Sequence, residues 1–301
     1  MRTHDVIGTQ FEPVRFRPES RLSVPLYARA LGLDDPLLLH SAAAADAGLQ
    51  SRPVPAAMLG FFLAVSADDL VEDLGFTWGR TLNVGIEVTS ARTVLEHELV
   101  EGRASVVDAW ERLGSDGGTR QFLVLEAAFA VDGAHACSWR VTFIERTDRA
   151  PDEAAAGAPS AGTDGAHLPP APTGTARPTP GERLGPVATG PISRLDLARL
   201  SAALDNPDPL HLDDEVARDA GFPQVIGQGS AVVGLLEAAC RTTVEWTAPL
   251  HMQTRQRAPF TVGDEMTATG TVGDDGLTAE ITVTGSGGEQ IGSASVSLSE
   301  A

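Results

Sequence analysis

The stretch Asn206-Pro207-Asp208-Pro209-Leu210-His211-Leu212-Asp213 decides how this chain is interpreted. Two prolines two positions apart exclude a helix interior and a central strand, so the segment predicts a rigid, irregular overhang that holds polar side chains in place. A short helix capped by Asp213 is predicted next, and a longer apolar helix is predicted to begin at Gly229. The pattern therefore puts a histidine near a helix N-terminus, whose free amide N–H groups favour developing negative charge.

The overhang and the apolar helix occur twice. Residues 27–31, 35–37 and 47–49 align at one constant offset with 200–204, 208–210 and 220–222, and after one deleted residue 58–62 align with 232–236. Antiparallel strands are predicted after each helix, from apolar, β-branched or aromatic runs separated by turn residues. These runs cover 83–88, 94–101, 122–130 and 137–143 in the first half, and 250–257, 266–272, 278–283 and 291–298 in the second. A long helix followed by antiparallel strands predicts an α+β fold in which the sheet wraps the helix.

A segment rich in proline, alanine and glycine separates the two halves. Residues 148–186 contain almost no large apolar side chain, so they cannot bury enough surface to offset the entropy of ordering. We therefore predict an N-terminal repeat at 1–147, a flexible linker at 148–186 and a C-terminal repeat at 187–301.

Composition limits the class of function. The net charge of −19 argues against nonspecific nucleic-acid binding. All 22 basic residues are arginine, which excludes lysine nucleophiles and Schiff bases. Cys137 and Cys240 lie far apart in apolar surroundings without metal-ligand spacing, which indicates buried thiols in a reducing compartment. No signal pattern or membrane-spanning apolar run is present, so we expect a soluble cytoplasmic protein without membrane association.

The overhang resembles the motif of the MaoC-like, R-specific enoyl-thioester hydratases, which runs Ser-Gly-Asp-x-Asn-Pro-Ile/Leu-His-x-Asp and continues to His-Gly at the start of the central helix. The positions that match are Pro209, Leu210, His211, Asp213 and Gly229. The resemblance implies a double hotdog fold, with two tandem hotdog repeats that each wrap a long central helix. Asn206 stands at the position of the family's catalytic aspartate and Asp208 at that of its asparagine. A register with one inserted residue would instead make Asp205 the acid.

The resemblance implies a lyase that hydrates an enoyl thioester or dehydrates a 3-hydroxyacyl thioester, without a metal or an organic cofactor. Carried over residue by residue, it gives His211 as the base, the Gly229 N–H as the oxyanion donor and Asn206 in the acid's place. Asparagine can orient water but cannot transfer a proton, so either Asp208 or Asp205 has to supply a carboxylate for full activity. Asp208 has an alternative interpretation as a carboxylate that stabilises the turn before Pro209.

The first half lacks this set of residues. Leu38 falls at the position of His211, Leu33 at that of Asn206, and Pro55, which has no N–H, at that of Gly229. We predict that the first repeat carries no site and lines an apolar cavity for the acyl tail, with Met58, Phe61 and Phe62 as candidates. The alternative is that these three side chains belong to the ordinary core.

Further residues are candidates for substrate binding. Gln228, where the family often has histidine, could bond the overhang or the substrate, and Ser230 follows the oxyanion donor. Arg255 and Arg257, two apart in a strand, could bind the phosphates of a pantetheine carrier, either coenzyme A or an acyl-carrier protein. They could equally form a solvated strand face.

Two other functions are compatible with these residues. The same pocket could serve another addition or elimination of specialised metabolism, such as ring closure by an internal hydroxyl, with His211 alone activating the nucleophile. The chain could also be a non-catalytic partner that binds acyl thioesters. A thioesterase is disfavoured, because the hydratase overhang is present and Glu237 is the only candidate carboxylate on the central helix. Since two fused hotdogs already form a pair, we expect a monomer or a homodimer of pseudo-dimers.

Overall fold

The computed structural model describes residues 6–60, 81–114, 118–145 and 178–298. The N-terminal repeat contains four short helices, α1 to α4, at Pro18–Arg21, Val24–Ala30, Pro36–Leu39 and Ser41–Asp46, and residues 56–60 are also helical. Its strands β1 to β7 cover Val14–Phe16, Pro53–Val54, Thr81–Ser90, Val94–Leu95, Val100–Leu113, Thr119–Val131 and Ala134–Glu145.

The C-terminal repeat begins with strand β8 at Arg183–Ala188. Its helices α5, α6 and α7 cover Arg194–Ala203, Asp214–Asp219 and Gly229–Arg241, and a 3₁₀ turn forms at Pro209–His211. Strands β9 to β12 follow at Leu250–Gln256, Met266–Val272, Thr278–Gly285 and Gln290–Leu298.

One antiparallel sheet of ten strands joins the repeats, in the order β1-β5-β6-β7-β3-β9-β12-β11-β10-β8. The two repeats have the same strand order on either side of the central β3–β9 pair, with β7, β6, β5 and β1 corresponding to β12, β11, β10 and β8. The central pair runs from Gly85 opposite Arg255 to Ser90 opposite Leu250. This arrangement is the predicted α+β double hotdog, in which two repeats share one continuous sheet.

Helix α7 is the central helix of the C-terminal repeat. Every residue from Ser230 to Cys240 is buried, and the helix packs against β8, β10, β11 and β12. A helix that is apolar on all sides can be stable only when it is enclosed, and here the sheet encloses it. The helix begins at Gly229 and the short helix α6 is capped by Asp213, both as predicted.

Most of the other predicted strands differ from the structure by one to three residues at their ends, and two differences are larger. The run predicted as one strand at 94–101 is divided between β4 and β5, and β5 continues to Leu113. The continuation alternates buried residues such as Val106 and Ala109 with charged exposed ones, which masked its strand character. The last residues of the segment predicted as linker also pair in the sheet, because Leu184 of β8 is buried opposite Gly270 of β10.

The structure also bears on the predictions for the cysteines and for membrane helices. Cys137 and Cys240 are both buried free thiols, as predicted. Within the described ranges, no helix combines the length and the apolar composition needed to cross a membrane. Phe61, Phe62 and most of the predicted linker lie outside these ranges.

Candidate active site

The overhang is held by hydrogen bonds of its own polar side chains. The backbone N–H of Asn206 donates to the carbonyl of Ser201 at 2.8 Å, which ties the overhang to the end of α5. Asn206 Oδ1 accepts from the N–H of Asp208 at 3.2 Å, and Asp208 Oδ1 accepts from the N–H of Leu210 at 2.9 Å. These side-chain turns fix the backbone on both sides of the prolines, and the following 3₁₀ turn ends at His211.

His211 is buried and has a defined tautomer. Its Nδ1 lies 2.9 Å from the carbonyl oxygen of Ile226. Because a carbonyl oxygen only accepts, Nδ1 carries the proton and Nε2 keeps a lone pair. Burial lowers the pKa of His211, and the nearby carboxylate of Asp208 and the Ile226 carbonyl offset part of that effect. The imidazole is therefore neutral near pH 7 and can accept a proton at Nε2.

Gly229 begins α7 three residues after Ile226, to which the ring of His211 is bonded. Three residues of extended chain span at most about 11 Å, so the ring and the helix N-terminus share one small region. Gly229 is the first residue of the helix, so its N–H has no helical carbonyl before it to bond. Gln256 Nε2 donates to the Gly229 carbonyl at 3.0 Å, and a Cβ at Gly229 would lie 2.5 Å from that nitrogen, so a larger residue would displace the Gln256 amide.

The residues on either side of Gly229 are completely buried. Gln228 Nε2 donates to Ser201 Oγ at 2.7 Å, so this side chain bonds the helix before the overhang and not the overhang itself. Gln228 Oε1 and Ser230 Oγ have no hydrogen-bond partner among the residues that the structure describes. Two orphaned polar atoms thus flank the amide predicted as the oxyanion donor.

The alternative register with Asp205 as the acid receives no support from the geometry. Asp205 has a left-handed backbone, with φ of 51°, and its carboxylate lies 2.6 Å from Arg21 in an ion pair at the surface. Asp208, in contrast, is half-buried and close enough to His211 to affect the pKa of the imidazole.

Arg255 and Arg257, the predicted phosphate-binding residues, differ in their positions on the sheet. Leu250, Met252 and Thr254 of β9 are buried against the helices, so the alternation of the strand directs Arg255 to the opposite face of the sheet. Arg257 follows the end of the strand and is exposed, one residue beyond Gln256. Met58 is fully buried in the hydrophobic core, in agreement with its interpretation as a core residue.

The N-terminal repeat has the same frame without the polar site. Leu38 and Leu33 are buried at the positions of His211 and Asn206. The helix starts align differently from the prediction, however, because the first 3₁₀ bond joins Met58 to Pro55 in one repeat and Ala231 to Gln228 in the other. Pro55 therefore corresponds to Gln228, and the counterpart of Gly229 is Ala56, which has an N–H.

In the first repeat, the carboxylate of Glu237 binds the N–H of Ala56, the counterpart of the Gly229 N–H. Its Oε1 accepts from the N–H of Ala56 at 3.1 Å and its Oε2 from the N–H of Ala57 at 3.0 Å. Arg241 lies 3.7 Å from the same carboxylate, and both side chains are buried. Glu237, the only carboxylate of α7, thus links the two repeats. It is not free to act as the catalytic carboxylate of a thioesterase.

Three residues that contact the site were not predicted from the sequence. Ile226 bonds His211, Gln256 bonds Gly229, and Ser201 bonds Gln228 beside it. A small polar residue on the buried face of α5 and an inward-facing glutamine at the end of β9 were the available signals. Ile226 contributes only a carbonyl, which no side-chain pattern indicates.

Residues 5–138 match the family model described as FAS1-like, dehydratase domain region. No curated protein matches the sequence.

Similar solved structures share the fold over nearly the whole chain. A MaoC-like dehydratase has a TM-score of 0.74 at 19% identity and covers 99% of this chain and 100% of its own. HtdX of Mycobacterium tuberculosis has a TM-score of 0.62 at 17% identity, covering 96% and 98%. A conserved M. tuberculosis protein described as a double hotdog fold has a TM-score of 0.59 at 18% identity, covering 97% and 96%.

The family model over the N-terminal repeat names a dehydratase region, which supports a hydratase or dehydratase class. Residues 5–138 thus resemble a dehydratase domain region, and the whole chain has the double hotdog fold of the solved structures that it matches.

Proposed function

We propose that this protein hydrates enoyl thioesters or dehydrates 3-hydroxyacyl thioesters carried on coenzyme A or an acyl-carrier protein. The observation that carries the proposal is the tautomer of His211. A buried neutral imidazole whose Nδ1–H is engaged by Ile226 presents an unprotonated Nε2, which is the form that a general base requires.

In the dehydration direction, His211 Nε2 takes the proton from C2 of the 3-hydroxyacyl thioester. The electron pair of that C–H bond forms an enolate. The enolate oxygen accepts a hydrogen bond from the N–H of Gly229 at the start of α7. The C2=C3 bond then forms as the C3–O bond breaks. The leaving hydroxide takes a proton and departs as water.

The proton for the leaving group is the point at which this chain differs from the family pattern. Asn206 cannot supply it. In our proposal the imidazolium of His211 returns the proton that it took from C2, so the base is regenerated without a separate acid. The Asp208 carboxylate, which raises the pKa of His211, stabilises the imidazolium while it exists.

The carrier contributes a pantetheine arm and phosphates. Arg257 is the better candidate for a phosphate contact, because it is exposed and follows Gln256, whose amide bonds Gly229. Arg255 points to the opposite face of the sheet.

Hydration of crotonyl-CoA tests the proposal, because loss of the conjugated double bond lowers the ultraviolet absorbance. We expect the wild type to be active and His211→Ala to lose about 10²–10⁴-fold in rate, as for the loss of a general base. His40→Ala, an exposed histidine of the N-terminal repeat, is the matched control and should retain the wild-type rate. Equal activity of His211→Ala and the wild type would refute the mechanism.

The role of the Asp208 carboxylate is tested by removing it and by transferring it to position 206. Asp208→Asn should lower the rate, and the double variant Asn206→Asp/Asp208→Asn places the acid where the family pattern has it. Recovery of the rate in the double variant would mean that either position can serve. An Asp208→Asn variant with an unchanged rate would show that Asp208 only stabilises the turn through its bond to Leu210.

Asn206 in the acid's place also favours a second function, an addition by a hydroxyl of the substrate itself. A chain with that function would leave crotonyl-CoA unchanged and would cyclise an enoyl thioester that carries a distal hydroxyl, and His211→Ala would abolish the cyclisation. Binding of the thioester without any turnover would instead indicate the non-catalytic acyl-binding protein.

A further inference from the structure

The backbone N–H groups at the start of α7 have counterparts in the other repeat. There the carboxylate of Glu237 binds two consecutive backbone N–H groups, one oxygen on Ala56 at 3.1 Å and the other on Ala57 at 3.0 Å. The protein thus contains its own example of a carboxylate bound at this type of helix start.

The two helix starts correspond residue by residue. The bridge between Pro53 and Leu95 has its counterpart in the bridge between Ile226 and Thr261. Both capping carbonyls accept a 3₁₀ bond, at 2.9 Å in the first repeat and 3.0 Å in the second.

A side-chain N–H from the sheet also reaches the first helical carbonyl of each repeat. Trp139 Nε1 donates to Ala56 O at 2.7 Å, and Gln256 Nε2 donates to Gly229 O at 3.0 Å. The amides of Gly229 and Ser230 are therefore the counterparts of the two amides that hold Glu237.

The aligned position in the N-terminal repeat carries no reciprocal carboxylate. The positions that correspond to Glu237 are Leu63 or Ala64, depending on where the one-residue deletion is placed. A further polar atom at the start of α7, Ser230 Oγ, is fully buried and unpartnered within the described part of the chain. A buried hydroxyl without a partner is costly, and it can donate to an anion, so it indicates a site that is completed by an accepting ligand.

We propose that the start of α7 is a two-donor anion site, in which the N–H groups of Gly229 and Ser230 bind a carboxylate in the way that Ala56 and Ala57 bind Glu237. The site thus takes a short carboxylic acid related to the acyl group of the substrate. Given the proposed function, on which this part rests, the thioester oxygen accepts from both amides as the enolate forms. A second donor would strengthen the stabilisation of the developing charge.

Ser230 offers a matched pair of variants. Ser230→Pro removes the N–H and the hydroxyl, and proline is tolerated in the first turn of a helix, where the preceding Gly229 has no Cβ to clash. Ser230→Ala removes only the hydroxyl. Crotonate is the anionic probe, and crotonamide, which has a similar shape without charge, is the control probe.

We expect the wild type and Ser230→Ala to bind crotonate in a calorimetric titration, and Ser230→Pro to bind it about tenfold more weakly or worse, as for loss of a charge-assisted hydrogen bond. Crotonamide should bind weakly to all three proteins. Equal crotonate affinity in Ser230→Ala and Ser230→Pro would overturn the proposal.

A second measurement needs no variant. Crotonate added to the ¹⁵N-labelled wild type should shift the amide resonances of both Gly229 and Ser230 downfield, and a shift at Gly229 alone or at neither would contradict two donors. The outcome is independent of catalysis. Crotonate binding at both amides in a protein that turns over no thioester would uphold the anion site and refute the proposed function. Turnover with no effect of Ser230→Pro on binding would do the reverse.

Discussion

His211 shows how the surroundings of a residue set its chemistry. An exposed histidine titrates near pH 6.5 and would be partly protonated at neutral pH. Burial lowers the pKa of His211, and the Ile226 carbonyl selects the tautomer in which Nε2 is free. A histidine at the protein surface would have neither property.

The pH dependence of activity follows from this lowered pKa. The rate of crotonyl-CoA hydration should rise with pH through a midpoint below about 6.5 and remain constant above it, because only the neutral imidazole is a base. Asp208→Asn should move the midpoint lower still, since Asp208 raises the pKa of His211. Initial rates between pH 4.5 and 8 measure both midpoints, and a wild-type midpoint above the ordinary histidine value would contradict the assignment.

The stability of the fold should respond to the same group. An imidazole with a lowered folded pKa binds fewer protons than in the unfolded chain, so its penalty is absent above about pH 6.5 and grows as the pH falls below that value. Urea unfolding at pH 7.5 and pH 5.5 should therefore show a smaller loss of stability for His211→Gln than for the wild type. His40→Gln is the control, and an equal loss in all three proteins would contradict the prediction.

The two cysteines should be chemically inert in the folded protein. Burial raises the pKa of Cys240 to about 12 and that of Cys137 further, so neither thiol ionises at neutral pH. A chromogenic disulfide reagent at pH 8 should release less than one equivalent of product from the native protein and two equivalents after denaturation. Rapid labelling of the native protein would show that one of these sites opens.

At the scale of elements, α7 serves both repeats. Its first turn carries the candidate site, and two turns later Glu237 caps the helical residues 56–60 of the other repeat. Tyr27 of α2 donates its hydroxyl to the Ser230 carbonyl at 3.0 Å, which holds the start of α7 from the first repeat. The position of the site thus depends on contacts between the repeats.

Glu237→Gln tests this dependence. The change leaves Arg241 without its buried partner and places an amide nitrogen near an N–H donor, so the free energy of unfolding should fall by about 3 kcal/mol. Glu280→Gln, an exposed glutamate of β11, should change it by less than about 0.5 kcal/mol. Urea titration followed by circular dichroism provides both values, and similar stabilities of the two variants would argue against a structural role of Glu237.

At the scale of the whole molecule, the repeats are parts of one sheet. The β3–β9 pair lies at its centre, where Thr254 Oγ1 donates to the Ile86 carbonyl at 2.9 Å. Trp246 Nε1 donates to Asp35 Oδ2 at 2.6 Å and adds a contact between the repeats outside the sheet. Whether the chain stays a monomer or forms a homodimer of pseudo-dimers remains a prediction.

We expect the two repeats to unfold together. Hydrogen exchange followed by mass spectrometry at increasing urea should expose peptides from β6 and β11 over the same range of denaturant, because separating the repeats would break the centre of the sheet. Thr254→Val should lower both transitions equally. Exchange of one repeat at clearly lower urea would show that it unfolds independently.

The sequence by itself determined the duplicated α+β pattern, the start of α7 at Gly229 and the overhang that carries His211. These features depend on local constraints, namely proline geometry, helix capping and apolar periodicity, that a short stretch of chain contains in full.

Only the tertiary structure decided which tautomer His211 adopts, why Asp208 and not Asp205 lies beside it, and that Glu237 occupies the corresponding amides of the first repeat. Each of these depends on a partner far away in sequence or on a backbone carbonyl. Such partners come together only when the sheet closes around the helices, and no local pattern of side chains specifies them.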